Sequence, residues 1–328
     1  MREYTFVENS TVKRESVRFI NRFGIELAGD LYLPNNLSNR ASAIAFTGPF
    51  GAVKEQVSGL YAQELAARGF VTLAFDPSFT GESGGQVSQV ASPEIFTEDF
   101  SAAVDFLGSL AYTDRSRIGI MGICGLSGNA LTAASVDTRI SAVATSVMYD
   151  ISRSVSEGVG ASMTKGQKRN FKAFLAQQRW NVVDTGKTIT GPHEPIFLED
   201  GSVLHTKGLP EVLPNNPHPV LKDFHDYYKK KRGYHRRSIN STDAWESRTP
   251  LSFLAFPQYS FIDEIEIPVL TITGENAHSR YFSEEAHEKI VSQKEFILVP
   301  NASHVDLYDQ VDKIPFDDIE RFLKKTLK

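Results

Sequence analysis

One thiol stands where a thiol can attack. Cys124 follows Arg117-Ile118-Gly119-Ile120-Met121-Gly122-Ile123, an apolar, β-branched run short enough to be one buried strand. After it come Gly125-Leu126-Ser127-Gly128-Asn129 and then Ala130-Leu131-Thr132-Ala133-Ala134, a helix-forming run. Strand, abrupt glycine turn and helix are the parts of a nucleophile elbow. Such a turn lifts one side chain above the sheet edge and aims the following backbone N–H groups at the group under attack. Cys124 is the first residue past the strand, and the Gly125 N–H is a candidate oxyanion donor. Ser127 is the alternative nucleophile, with Gly125 two residues before it and Asn129 two after. The helix should have begun by then, which favours Cys124. A third reading keeps the thiol as a small buried apolar residue, a common fate of free cysteine.

A thiol nucleophile needs a base and something to orient that base. His304, in the loop after the last strand-like run, is the candidate base. The orienting acid is expected after the strand at 267–273, where Glu275 stands; Asp150, past the preceding strand, offers a second route. In the glycine-bearing loop Thr47-Gly48-Pro49-Phe50-Gly51-Ala52, Pro49 has no N–H, so the Phe50 N–H is the candidate second oxyanion donor. Histidines such as His225 and His235 have no metal-ligand spacing, and neither metal nor cofactor is expected.

These residues are placed by alternating strands and helices. Residues 14–33 read as a hairpin. Strands are expected at 42–46, 70–75, 141–148, 267–273 and 294–299. Helices are expected at 57–68, 96–110, 283–291, with Ser283 as cap, and 317–327. Repeated βα units imply an α/β protein with a mostly parallel sheet and helices on both faces. Ligands in such sheets bind beyond the carboxyl ends of the strands. Phe50, Cys124, Asp150, Glu275 and His304 all fall just past strand ends, so one rim can hold them. Across 151–260 the alternation stops, and two basic, aromatic-spotted helical stretches at 165–180 and 219–233 flank a Gly/Pro/Asn-rich region. This segment reads as a lid inserted between late strands, with 1–150 and 261–328 forming the core. Its aromatic residues Phe171, Phe174, Trp180, Tyr227 and Tyr228 fit an apolar substrate or the lid's own core. The run Lys229-Lys230-Lys231-Arg232 reads as a solvated helix end.

Bulk properties bound the rest. Hydrophobic residues make up 41% of 328, enough for a sizeable core, and the net charge of −5 gives no nucleic-acid footprint. No apolar run approaches the roughly 18 residues of a membrane span. Met1-Arg2-Glu3-Tyr4-Thr5 lacks the charged start and apolar stretch of a signal peptide. Cys124 is the sole cysteine; it can form no intramolecular disulfide, which fits a cytoplasmic protein. Oligomeric state is not readable.

Several segments together resemble a known family: Phe23-Gly24-Ile25-Glu26-Leu27-Ala28-Gly29, Gly48-Pro49-Phe50-Gly51 with Lys54-Glu55-Gln56, Gly81-Glu82-Ser83-Gly84-Gly85, Gly122-Ile123-Cys124-Gly125, Arg280-Tyr281-Phe282-Ser283-Glu284, and Ser303-His304-Val305-Asp306-Leu307-Tyr308-Asp309. The chain resembles the dienelactone-hydrolase-related branch of the α/β-hydrolase superfamily, including bacterial hydrolases with a Gly-Ile-Cys-Gly elbow, a branch that also resembles fungal polyketide transferases. The resemblance implies an α/β-hydrolase fold, a Cys nucleophile, a late His base, and hydrolysis of esters, thioesters or lactones. The order nucleophile, acid, histidine matches that superfamily. The chain departs from the family pattern at Leu126 in the elbow and at Ala277, where an acid is usual. Two other classes stay open: an acyltransferase using the same site, and a non-catalytic fold that binds a ligand.

Overall fold

Eight strands build the main sheet of the computed structural model, which describes residues 4–37, 40–191, 193–204 and 208–328. The first three residues of the N-terminal stretch discussed above lie outside them. Numbered in chain order, the strands are β1 (Val12–Ile20), β2 (Glu26–Pro34), β3 (Ala41–Thr47), β4 (Val71–Phe75), β5 (Thr113–Ile123), β6 (Ala142–Ser146), β7 (Val269–Gly274) and β8 (Lys294–Val299). Their spatial order is β1-β2-β4-β3-β5-β6-β7-β8. The β1–β2 hairpin and the β2–β4 pair are antiparallel; from β4 to β8 every pair is parallel. The central strands β4 and β6 are buried along their whole length, consistent with their Val, Ala and Thr content and with helices covering both faces.

The longer helices are α1 (Val57–Ala67), α2 (Pro93–Ser109), α3 (Leu126–Val136), α4 (Ile151–Glu157), α5 (Lys165–Thr185), α6 (Pro219–Tyr228), α7 (Arg280–Lys289) and α8 (Phe316–Thr326). Local chemistry sets their ends. Ser92 caps α2 ahead of a proline in the first turn. Thr164 and Gln167 form a reciprocal capping box on α5, which stops at Gly186 in the left-handed region. Helix α7 differs from expectation. The chain turns directly out of β7, with Ala277 N–H bonded to Gly274 C=O and Arg280 N–H to Ala277 C=O. The helix therefore starts about one turn early, Ser279 takes the N-cap position, and Ser283 is buried inside it.

Register fixes the rim. Thr47 lies opposite Gly122, Ile123 opposite Ser146, Ser146 opposite Ile272, and Gly274 opposite Val299. The carboxyl ends of β3, β5, β6, β7 and β8 thus form one edge. The chain between β6 and β7 adds no strand to this sheet. It carries α4, α5 and α6 and small two-residue pairings, Thr190–Gly191 with Trp245–Glu246 and Ile196–Phe197 with Val203–Leu204. Its basic run is paired: Lys229 with Glu211 and Lys230 with Asp226 inside the segment, and Arg232 with Asp309 beyond the last strand. Among the described residues, no helix is long and apolar enough to cross a membrane.

Strand β5 and helix α3 pack backbone to backbone at Gly122. A Cβ there would lie 2.5 Å from the Leu126 carbonyl oxygen and 2.6 Å from Ser127 Cα. Neither atom can move without moving the helix. Gly122→Ala is therefore expected to destabilise the fold by about 3 kcal/mol, as overpacking does. A lowered urea midpoint at unchanged m-value checks this.

Candidate active site

Cys124 is the hinge between β5 and α3 and adopts φ +54°. A non-glycine residue there is strained. Three backbone bonds hold it: its N–H donates to Ser146 C=O (2.9 Å), and its C=O accepts from Ser127 N–H (3.1 Å) and Tyr149 N–H (3.0 Å). Two further strained residues lie on the same rim, Val147 (φ +41°) past β6 and Asn301 (φ +55°) past β8. The turn at Val147 leads into Tyr149, and the turn at Asn301 leads into His304.

The Gly125 and Phe50 N–H groups and the Tyr308 hydroxyl interact with the Cys124 thiol and act to lower its pKa. Burial dominates nonetheless and pushes the thiol up to about 11. Gly125 is glycine because the loop comes so close: a Cβ would lie 2.7 Å from Phe50 Cβ. The peptide beyond Phe50 is pinned by the inserted segment. Asn240 Nδ2 donates to Phe50 C=O (2.8 Å), and Ser238 Oγ donates to Gly51 C=O (3.0 Å).

His304 is buried, at 1% exposure, in an aromatic box of Tyr149, Phe224, His278 and Tyr308. Its Nδ1 lies 2.7 Å from Ser279 Oγ and its Nε2 lies 3.0 Å from Tyr308 Oη. Burial, with His278 beside it, holds the imidazole well below its usual range, so it is neutral at pH 7. Its neighbour His278 is also depressed, to about 4, chiefly by burial. The His278 Nε2 bonds the Tyr149 hydroxyl at 2.5 Å.

The structure sends both candidate acids elsewhere. Glu275 reaches the histidine loop, but at its backbone: Oε2 accepts the Asn301 N–H at 2.9 Å. The reason is Ser279, which the early start of α7 places directly against Nδ1. Asp150 is the N-cap of α4, where it accepts from Arg153 N–H (3.0 Å) and pairs with the Ser152 hydroxyl. Among the described residues, no carboxylate bonds the His304 ring. Ser127 is fully buried within α3, and its hydroxyl donates back to Gly122 C=O at 2.9 Å. It does not face the sulfur's surroundings. Ser279 and Tyr308 are the site residues that motif reasoning missed. Tyr308 had a signal, being four residues after His304 and so on the same side of a helical turn.

The sulfur opens on a cavity of ≈ 230 Å³ walled by Phe50, Tyr149, Tyr228, Trp245, Leu209 and Phe224 among others, with Glu194 and Asp243 also at its lining. Trp245 lies against Phe50 at 4.1 Å between ring centroids. Of the aromatic residues in the inserted segment, Tyr228 lines this cavity, Phe171 and Tyr227 are buried, and Trp180 is exposed. Among the described residues, no group of three His, Cys, Asp or Glu side chains is placed to hold a metal.

A family model described as X-Pro dipeptidyl-peptidase (S15 family) matches residues 24–306. The chain belongs to this family. It is 51% identical over 325 residues to the uncharacterised protein PA2218 of Pseudomonas aeruginosa, covering 98% of this chain and 83% of that one. The crystal structure of PA2218 superposes with a TM-score of 0.91 over 99% of this chain and 97% of that chain, at 50% identity. Thiohydrolase aneE of Aspergillus aculeatus is 33% identical over 133 residues, 40% of this chain and 41% of that one. The α/β hydrolase GrgF of Penicillium sp. sh18 shares the fold at 19% identity, with a TM-score of 0.74 over 96% of this chain and 99% of that chain. This S15-family chain thus has the α/β-hydrolase fold, with its sheet order, elbow and late histidine loop in the places that fold uses.

Two outcomes follow from the geometry. The folded thiol stays protonated until about pH 11. Alkylation of Cys124 by iodoacetamide should therefore climb about tenfold per pH unit from 7 to 10, because only the thiolate reacts. In the urea-unfolded chain the same rate should level near the ordinary value of 9.0. Separately, Ser279→Ala frees Nδ1 and lets the imidazole change tautomer, so whatever p-nitrophenyl acetate turnover the wild type shows should fall about tenfold. Glu275→Gln should leave that turnover within about threefold, since surface substitutions away from a site do little. Steady-state kinetics on p-nitrophenyl acetate compare the two.

Proposed function

We propose that this protein is an acyl-thioester or ester hydrolase that works through a covalent acyl group on Cys124. One observation carries the reading most: the Phe50 and Gly125 N–H groups converge on the sulfur of a residue held at positive φ. Donors gathered there can pass to the oxygen of a carbonyl attacked by that sulfur. Residues 151–260 act as the cap, supplying much of the cavity wall and the Asn240 and Ser238 contacts that steady the Phe50 loop. The substrate is a small molecule with an apolar acyl part, matched to the cavity lining.

His304, neutral at the outset, accepts the proton that leaves Cys124. The thiolate attacks the carbonyl carbon, and the oxygen takes the charge between the two N–H groups. The tetrahedral adduct collapses, the imidazolium returns its proton to the departing thiol or alcohol, and water then hydrolyses the acyl group. Ser279 Oγ holds the Nδ1–H so that Nε2 is the basic nitrogen. The similarity to a thiohydrolase supports a thioester among the substrates.

Burial of the sulfur beneath an apolar cavity favours a second reading. Where water is scarce, an alcohol or amine competes for the acyl group, and the enzyme is then a transferase. Adding methanol or glycine ethyl ester separates the two: rising ester or amide product at constant thiol release supports transfer.

For S-phenyl thioacetate, Cys124→Ala should lose about a thousandfold or more in kcat/KM, as removal of a nucleophile does. Ser127→Ala should stay within about threefold, its hydroxyl donating only to the β5 carbonyl of Gly122. Retained turnover in Cys124→Ala would remove the thiol from the mechanism.

A further inference from the structure

Resting on the reading of Cys124 as nucleophile and His304 as base, we propose that the Tyr308 hydroxyl is the proton relay between them and a catalytic residue in its own right. Both imidazole nitrogens are already engaged. Nδ1 faces Ser279 Oγ at 2.7 Å, and Nε2 faces Tyr308 Oη at 3.0 Å. The same residue shares the cavity wall with Cys124, and its hydroxyl interacts with the thiol. Cys124 and Tyr308 line the cavity, whereas His304 is buried behind that wall. A proton leaving the sulfur therefore meets the phenol oxygen on its way to the imidazole.

The fold fixes that oxygen firmly. The short helix Asp306–Asp309 follows the histidine loop and brings Tyr308 back over His304. Tyr308 N–H donates to Val305 C=O at 3.1 Å. Its ring packs edge-on against Tyr227 at 5.2 Å and His304 at 5.3 Å between centroids.

Two protons move in one concerted step. The Tyr308 O–H proton passes to His304 Nε2 while the Cys124 S–H proton passes to Tyr308 Oη. The S–H bond breaks and a new O–H bond forms, leaving a thiolate, a neutral tyrosine and an imidazolium. The sulfur then bonds the carbonyl carbon, and the carbonyl π pair moves onto oxygen. On collapse that pair re-forms the C=O and the bond to the leaving heteroatom breaks. The imidazolium proton returns to Tyr308 Oη as the phenol proton passes to the leaving group. Burial holds the phenol far above its usual range, so no free tyrosinate accumulates and the two transfers stay coupled.

The test uses the full chain with S-phenyl thioacetate. Tyr308→Phe keeps the ring and removes only the oxygen. Its kcat should fall about a hundredfold, the range of general acid–base effects, with KM within about threefold. A proton inventory in H2O/D2O mixtures on the wild type should be bowl-shaped, as two protons in flight require. Tyr308→Phe turnover equal to or above wild type overturns the relay, because the imidazole then reaches the sulfur directly. A linear proton inventory overturns it too, whether or not the variant folds. Loss of the underlying reading is distinguishable: it shows as full turnover in Cys124→Ala.

Discussion

Holding a cysteine at φ +54° is the constraint on which the rest of this structure depends. The left-handed conformation costs a non-glycine residue about 1–2 kcal/mol, and a chain that relaxes it lays the thiol down along the sheet. The neighbouring strand end prevents this by bonding both sides of the Cys124 peptide. Ser146 C=O accepts its N–H, and Tyr149 N–H donates to its C=O. Glycines do the complementary work. Gly122 lets the helix press on the strand, and Gly125 lets the Phe50 loop approach within contact of the turn. The strain is shared along the rim, with Val147 and Asn301 in the same region of conformational space. Each sits just past the carboxyl end of a parallel strand.

A thiol in this position changes what its partners must do. It is far more acidic than a serine hydroxyl, so its base needs less help to remove the proton. In the proposed mechanism this suits an imidazole backed by the Ser279 hydroxyl instead of a carboxylate. The hydroxyl fixes the tautomer without stabilising a permanent imidazolium. With the thiol pushed up by burial and the imidazole pushed down by the same cause, the resting pair is neutral on both sides. In the proposed reaction, charge separates only when a carbonyl is present to accept the attack.

Much of this was legible in the sequence because it follows short-range rules. The apolar run ending at Ile123 and the glycines around Cys124 specify strand, turn and helix without reference to the rest of the chain. The βα alternation then implies the parallel sheet and the shared rim. Pro49, lacking an N–H, leaves Phe50 as the proposed donor of that loop. The acid was not legible, because its identity turns on where α7 begins. One turn of helix decides whether residue 279 or a more distant side chain meets the imidazole, and propensity does not resolve a single turn at a helix start. Ser283 carried the cap signal, yet the turn out of β7 claimed Ser279. Glu275 follows β7 directly, but its carboxylate meets the Asn301 N–H and not the ring. The partners of 151–260 were likewise hidden, because Asn240 meets Phe50 across 190 residues of sequence.

The central claim is that an acyl group resides on Cys124 during turnover. The direct measurement is intact-protein and peptide mass spectrometry of wild-type enzyme quenched in acid within the first turnover of S-phenyl thioacetate. The account predicts one added acetyl mass, located on the peptide bearing Cys124 and discharged by hydroxylamine. An acetyl group found on Ser127, or product released with no covalent species at any quench time, would contradict it.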